Sequence, residues 1–240
     1  MQVRSLRAVP RSVMVFGLIL LALQIAGRAM QVAPTAYAEA LTPPPTVTSA
    51  QLASLGEPIT LAGLLALRLQ AFDNQPGISI PFAALDYPRV TAWLATLLAL
   101  DPNSNYPLLM SSYLYAQVPD PAKQRLMLDF TYQQFLLNPA QRWRYLAHAA
   151  LIAKHGLHDL PLALTYARAI QQHAREPTIP HWASQMPIFI LEDMGEREAA
   201  KIELGALLAN DSITDPQEKH FLTERYRELE SSPPKSRQPR

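Results

Sequence analysis

The feature that most constrains the fold of this chain is a proline that recurs at a nearly constant interval. Pro102, Pro139, Pro177 and Pro216 are separated by 37, 38 and 39 residues. Between successive members of this series lie two stretches with helical apolar spacing, joined by a turn. A two-helix unit repeated at this period is typical of an α-solenoid, in which each helical hairpin covers an apolar face of its neighbour. The sequence therefore predicts an all-α chain that folds as an alpha-solenoid of helical hairpins.

Aspartate–proline signals mark where the predicted helices begin. Asp86 precedes Pro88, and a proline in the first helical turn loses no hydrogen bond while the aspartate can cap the free backbone N–H groups. Similar signals occur at Asp120, Asp159 and Asp215. In the stretch after Asp86, apolar residues from Val90 to Leu98 fall at i, i+3, i+4, i+7 and i+8, the spacing of one buried helix face. The predicted turns within the units are VPDP (118–121), HGLHDLP (155–161) and DMGE (193–196).

The repeats resemble the tetratricopeptide repeat (TPR) family over roughly residues 85–230. The unit from Arg142 carries the family's pattern best, at Trp143, Leu146, Ala147 and Ala150 on its first helix and Ala163, Ala167 and Ile170 on its second. The resemblance implies that the first helix of each unit lines a concave groove. Intervals of 37–39 residues exceed the family's 34, so each unit is about one helical turn longer. Pro187 is expected to kink the helix that contains it.

The N-terminal residues predict export to a membrane. Arg4, Arg7 and Arg11 precede an uncharged apolar run, Val13–Gly27, which is short for a bilayer core unless it continues past Arg28. Basic residues on the N-terminal flank favour keeping that end in the cytoplasm. We therefore expect a single-pass protein of a bacterial inner membrane whose C-terminal domain is periplasmic. A cleaved signal peptide is the alternative.

Changes of composition along the chain predict six segments. Three consecutive prolines among small residues are typical of a stiff, extended spacer that holds a domain off the membrane. The last stretch has little to bury and is expected to be disordered. The predicted segments are a cytoplasmic N-terminus (1–12), a transmembrane anchor or signal segment (13–33), a Pro-rich linker (34–58), a short helix and loop (59–84), a TPR-like helical repeat domain (85–230) and a disordered tail (231–240).

Composition and missing motifs exclude several functions. The formal net charge of +1 gives no broad basic field, so we expect no nucleic-acid partner. The chain has no cysteine, which excludes disulfides, thiolate metal sites and a cysteine nucleophile. It contains no HExxH, Gly-rich phosphate loop or GxSxG motif. We expect no catalytic residue, no metal and no cofactor. The alternative from another class is an exported metal-dependent enzyme that uses the His148–His158 region.

The candidate binding residues follow from the resemblance, which implies a groove lined by first helices. If Trp143 opens its unit, the residues that face the groove are Gln141, Arg144, His148, Leu151 and Ile152. In the preceding unit the register leaves two sets open, Ser111, Leu114 and Tyr115 or Ser112, Tyr115 and Ala116, and Tyr115 belongs to both. Aromatic, arginine and aliphatic side chains together suit a peptide or helix of a partner. The expected packing aromatics are Trp93, Phe130, Phe135, Trp143 and Trp182.

These observations predict a membrane-anchored, non-catalytic scaffold or adaptor that binds a protein or peptide partner on the periplasmic side. An N-terminal anchor followed by such repeats also resembles the layout of bacterial inner-membrane TPR proteins that assist secretion and cytochrome c maturation. A soluble periplasmic chaperone, released by signal cleavage, is the remaining alternative.

Overall fold

The computed structural model describes residues 10–30, 38–174, 179–209, 213 and 215–231. About 78% of its described residues are helical and almost none are in strands, so the chain is all-α, as its periodicity predicts. Two strands of two residues each, β1 (Asn74–Gln75) and β2 (Ile78–Ser79), form a small sheet. The chain divides into two compact units, Met1–Ala38 with Pro76–Ile78 and Glu39–Gln75 with Ser79–Arg240. Each unit is described by itself.

The first unit contains helix α1, Arg11–Ala29. The helix has 19 residues, which corresponds to a length of about 28 Å at 1.5 Å per residue. Between its terminal Arg11 and Arg28 it carries no charge, and none of its residues is buried. It is therefore long and apolar enough to cross a membrane.

The second unit contains the remaining described helices. They are α2 (Val47–Ala53), α3 (Pro58–Gln70), α4 (Tyr87–Leu100), α5 (Tyr106–Leu109), α6 (Pro121–Leu137), α7 (Pro139–His155), α8 (Leu160–His173), α9 (His181–Asp193), α10 (Arg197–Ala209) and α11 (Pro216–Ser231). Short 3₁₀ turns occupy Ala71–Asp73, Phe82–Ala84 and Tyr115–Gln117, and a π-helical turn occupies Met110–Leu114.

The predicted aspartate caps are present. The side chains of Asp86, Asp120 and Asp159 accept hydrogen bonds from backbone N–H groups in the first turns of α4, α6 and α8. Asp215 accepts one from the N–H of Gln217 at the start of α11, at 2.9 Å. Proline stands at the first or second position of α4, α6, α7 and α8. The local chemistry of each cap therefore fixes where the helix begins.

The predicted linker is not an extended spacer over its whole length. Residues 47–53 form α2, capped by Thr46, whose hydroxyl oxygen accepts from the N–H of Ser49. Upstream of α2, Leu41 is buried, and the carbonyl of Thr42 accepts a hydrogen bond from the indole N–H of Trp93 at 2.8 Å. The chain from Glu39 onward belongs to the second unit because these contacts attach it to α4. Local composition showed the prolines but did not show these distant contacts.

Helices that are consecutive in sequence pack against each other through the C-terminal half of the chain. From α6 to α11 each helix contacts the next one. One core cluster runs through the unit from Leu41 to Leu229. Pro187 lies inside α9, as the sequence predicts. Pro177 and residues 1–9, 31–37 and 232–240 lie outside the described residues.

Candidate binding surface

Four of the five predicted groove residues lie along one face of α7. Gln141, Arg144, His148 and Leu151 follow the i, i+3, i+7 and i+10 spacing, and residues at this spacing lie on one side of a helix. Gln141, Arg144 and Leu151 are exposed and His148 is half-buried. We call these four residues the α7 face. The sequence analysis also predicts that Ile152 of this helix faces the groove. Ile152 is buried in the core, so this part of the prediction was wrong.

The start of α7 is held in place by polar contacts. Asn138 caps the helix and also donates a hydrogen bond to the side-chain oxygen of Gln141, at 3.1 Å. One turn on, the buried guanidinium of Arg142 donates to the carbonyls of Gln134 and Pro102, each at 2.8 Å. Burial lowers the pKa of Arg142 from its ordinary value. These bonds join the N-terminus of α7 to the end of α6 and to the turn after α4.

His148 makes an aromatic stacking contact. Its ring stacks on Tyr113 with a centroid distance of 3.8 Å and an interplanar angle of 8°. Its Nε2 atom also lies 3.3 Å from the side-chain nitrogen of Gln117. Burial lowers the pKa of His148 from its ordinary value, since the charged imidazolium loses hydration there. Tyr113 and Gln117 are themselves exposed, so they extend the α7 face onto the preceding segment.

Tyr115 does not belong to this surface, which corrects the sequence prediction. Its exposed fraction is 0%, and its ring packs edge-to-face against Phe82 and Tyr87. The Tyr87 hydroxyl donates to the Tyr115 carbonyl at 2.8 Å. The buried hydroxyl of Tyr115 has no hydrogen-bond partner among the described residues. Tyr115 therefore serves packing, and burial raises its pKa.

The π-helical turn explains why both predicted registers of this segment failed. A π turn contains one residue more than an α turn, so it changes which side chains face outward. Ser111 and Ser112 both donate to the carbonyl of Leu108 and are buried, whereas Tyr113 points to the surface. The Ser-Ser pair was the one available signal, because serine hydroxyls that bond to earlier carbonyls often bend helices.

Trp143 and Trp182 mark the N-terminal ends of α7 and α9. Their rings meet edge-to-face at 5.6 Å, and the guanidinium of Arg144 lies 5.5 Å from the Trp143 ring. Trp143 is buried as predicted, but Trp182 is 53% exposed and is only partly a packing residue. Leu151, near the C-terminal end of α7, is 46% exposed.

The titratable groups near the α7 face form ion pairs or lie apart from one another. Lys154 forms an ion pair with Asp193, and Glu192 accepts from the guanidinium of Arg225. His158 takes a positive φ of 52° in the turn after α7, which sets it apart from the helix. Among the described residues no group of three or more His, Asp or Glu side chains is arranged to hold a metal ion. The geometry instead offers stacked rings, a cation and aliphatic surface for recognition.

Comparisons with known proteins add no relative. No protein-family model matches the chain, and the searches of curated proteins and of solved structures give no match either. The likeness to TPR proteins therefore rests on the residues of this chain alone.

Proposed function

We propose that this protein is a membrane-anchored, non-catalytic scaffold that binds a protein or peptide partner through the α7 face. Helix α1 anchors it in a bacterial inner membrane, and a TPR-like alpha-solenoid presents the α7 face on the periplasmic side. The observation that carries the proposal is the α7 face itself, where Arg144, His148 and Leu151 are accessible on one helix and Tyr113 of the preceding π turn stacks on His148. Aromatic and arginine side chains on such a face carry most of the energy in protein recognition.

Side-chain bonds between helices support the solenoid. They join residues at a separation close to the proline interval, namely Arg125 to Asp159 (34 apart), Tyr166 to Asp129 (37), Arg168 to Glu203 (35), Gln185 to Glu218 (33) and Arg225 to Glu192 (33). A stack of similar units makes equivalent contacts from one unit to the next, so its contacts recur at the repeat length.

Burial of the pattern residues supports the TPR-like character. The matching positions on α7 and α8 are all within the core: Trp143, Leu146, Ala147, Ala150, Ala163, Ala167 and Ile170. Alanines at these positions let two helices approach closely, which is the role that the resemblance implies for them. Ala200, the corresponding small residue of the next unit, is also buried.

Charge on the flanks of α1 supports the orientation. Arg4, Arg7 and Arg11 precede the apolar run, and basic residues on this side favour a cytoplasmic N-terminus. Export of the remaining chain then places the second unit in the periplasm.

Photo-crosslinking in cells tests the proposal. We replace Arg144 with a photoreactive amino acid in the full chain and expect one discrete protein adduct. Adding Leu151→Glu should abolish that adduct, because a charge on the apolar part of the α7 face penalises docking. A probe at Thr165, exposed on α8, is the matched control and should give no such adduct. Capture that is equal from Thr165, or unchanged by Leu151→Glu, would contradict the proposal.

A further inference from the structure

Helix α3 is apolar on both its faces. Ala62, Ala66 and Leu69 are buried, yet Leu64 and Leu67 on the opposite side are each 60% exposed. Thr60, Arg68 and Gln70 are its polar side chains. A helix that is apolar all round belongs in a protein core or in a membrane, because water does not favour such an outer face.

Three strongly exposed apolar side chains lie at the corner between α2 and α3. Leu52 is 76% exposed, Leu55 93% and Ile59 64%. We call Leu52, Leu55, Ile59, Leu64 and Leu67 the leucine corner. The two helices together are apolar enough for a membrane span but are bent by 112°. Leu55 has a φ of +50°, an unfavourable conformation for a bulky residue. A strained leucine held in solvent points to a functional role.

The charge of this segment and the length of the chain that connects it to α1 favour lipid as the medium that covers it. Between Val47 and Gln70 the charged side chains are Glu57 and Arg68. A surface with so little charge suits the neutral interior of a bilayer. The chain from Met30 to Glu39 spans at most about 30 Å even when fully extended. Because Glu39 begins the second unit, this length limits how far its first residue can lie from a membrane that α1 crosses.

We propose that the leucine corner inserts into the headgroup and acyl-chain boundary of the bilayer that α1 crosses. This inference rests on the anchoring role of α1 in the proposed function. The corner is a second, non-spanning contact, comparable to an interfacial helix with an apolar face. It gives the second unit a fixed orientation on the membrane surface. Since the leucine corner carries no basic cluster, its insertion depends on apolar area and does not require anionic lipid.

Single-cysteine labelling of the full chain tests this inference, because the protein has no native cysteine. An environment-sensitive fluorophore is attached at Leu52→Cys, and the protein is reconstituted in phosphatidylcholine vesicles with or without phosphatidylglycerol. We expect blue-shifted emission that spin-labelled lipids quench equally in both vesicles. A probe at Leu137→Cys is the matched control, since Leu137 is also a leucine at a helix end and is 74% exposed. The emission of the Leu137 probe should be that of a fluorophore in water, and spin-labelled lipids should not quench it.

A second variant removes the apolar contact while preserving the fold. Leu55→Asn together with Leu64→Gln should lower the lipid-bound fraction of the Leu52 probe about 10-fold, since two leucines leave the lipid. Asparagine tolerates positive φ, so this variant should remain folded, as unchanged circular dichroism would show. An equal lipid-bound fraction in the variant would overturn the inference.

A probe at Ile19→Cys within α1 separates failure of the anchor from failure of the corner. Quenching at Ile19 without quenching at Leu52 overturns the corner and leaves the anchor in place. Quenching at neither position overturns both. A Leu52 probe that is shielded from water but not quenched by lipid indicates self-association and also overturns the inference.

Discussion

Helices α3 and α7 both contribute buried side chains to the main core cluster but differ in what they present outward. On the inside, Leu69 of α3 and Leu146 of α7 are both almost fully buried. On the outside, α7 carries Gln141, Arg144 and His148 around a single leucine. The outer side of α3 carries Leu64 and Leu67 with only Thr60 and Arg68 nearby.

Both helices pack on the core, although α7 buries many more side chains than α3. The difference between their outer faces is what the two proposed contacts predict. A mixed face with stacked rings and a cation is stable in water and can offer oriented contacts to a protein. An apolar face offers contact area but no directional hydrogen bonds, which suits lipid. The inner faces therefore determine folding, and the outer faces distinguish the two proposed contacts.

The largest expected effect tests the inner faces. Leu146→Ala in α7 and Leu69→Ala in α3 should each lower the free energy of unfolding by roughly 2–5 kcal/mol, because each leaves a cavity in the core. Urea unfolding in detergent, followed by tryptophan fluorescence, measures the change.

The outer leucines of the same helices are the controls. Leu151→Ala and Leu64→Ala should change the free energy of unfolding by no more than about 0.5 kcal/mol, since both sites are exposed. If Leu69→Ala lowered the free energy of unfolding by less than about 0.5 kcal/mol, α3 would not pack on the core as described. The comparison between the two helices would then fail.

A smaller effect is expected from the two neighbouring arginines of α7. Arg142→Ala should destabilise the protein by about 2 kcal/mol, because it leaves the carbonyls of Pro102 and Gln134 without their donor. The control Arg144→Ala should be within about 0.5 kcal/mol of the unmodified protein, since its side chain is at the surface. The same urea experiment distinguishes them.

If Arg144→Ala were the more costly change, the outer side of α7 would be part of the folded core and not a free surface. The buried side chains of α3 are all apolar, and the hydrogen bond that its Gln70 accepts from the Tyr106 hydroxyl lies at the surface. The comparison thus also predicts that buried polar anchoring is a property of α7.

Much of the helical architecture could be predicted from the sequence because its signals are local. The caps at Asp86, Asp120 and Asp159 each depend on a side chain and the next three residues. The TPR resemblance, which is carried by the residues of one unit, predicts that Gln141 and Arg144 face a groove, and both are exposed. Such information is contained in a short window, so one sequence is sufficient.

The errors arose where distant contacts override local composition. Residues near Leu41 look like a spacer, but the indole of Trp93 and the core attach them to α4. The resemblance assigns Tyr115 to the groove, but the π turn buries it, and the Ser111–Ser112 pair is only a weak sequence signal of that turn. The same turn brings Tyr113, which the sequence prediction does not include, to the surface. The apolar outer face of α3 was visible in its sequence, but only the exposed fractions show that no other helix covers it.

The smallest expected effect concerns the half-buried imidazole of α7. Burial lowers the pKa of His148, so the folded state favours the neutral ring more than the unfolded state does. The unfolded chain therefore binds more protons as the pH falls below about 6.5, the ordinary histidine value, and stability decreases with acidification. Tyr113 and Gln117, which contact the ring, bring no charge to it, and Arg144 lies one turn away on the same helix. Unfolding in urea at a series of pH values should show a decrease that His148→Gln reduces.

His155→Gln provides the control on the same helix, because His155 is exposed at its C-terminal end. That variant should retain the part of the pH dependence that His148→Gln removes. The measurement also sharpens the contrast with α3, whose outer face has no histidine and so adds no such response near neutral pH. If both histidine variants gave the same pH profile as the unmodified protein, the imidazole would be as hydrated in the folded state as in the unfolded one. The stack on Tyr113 would then not shield it, and the α7 face would lose its most ordered element.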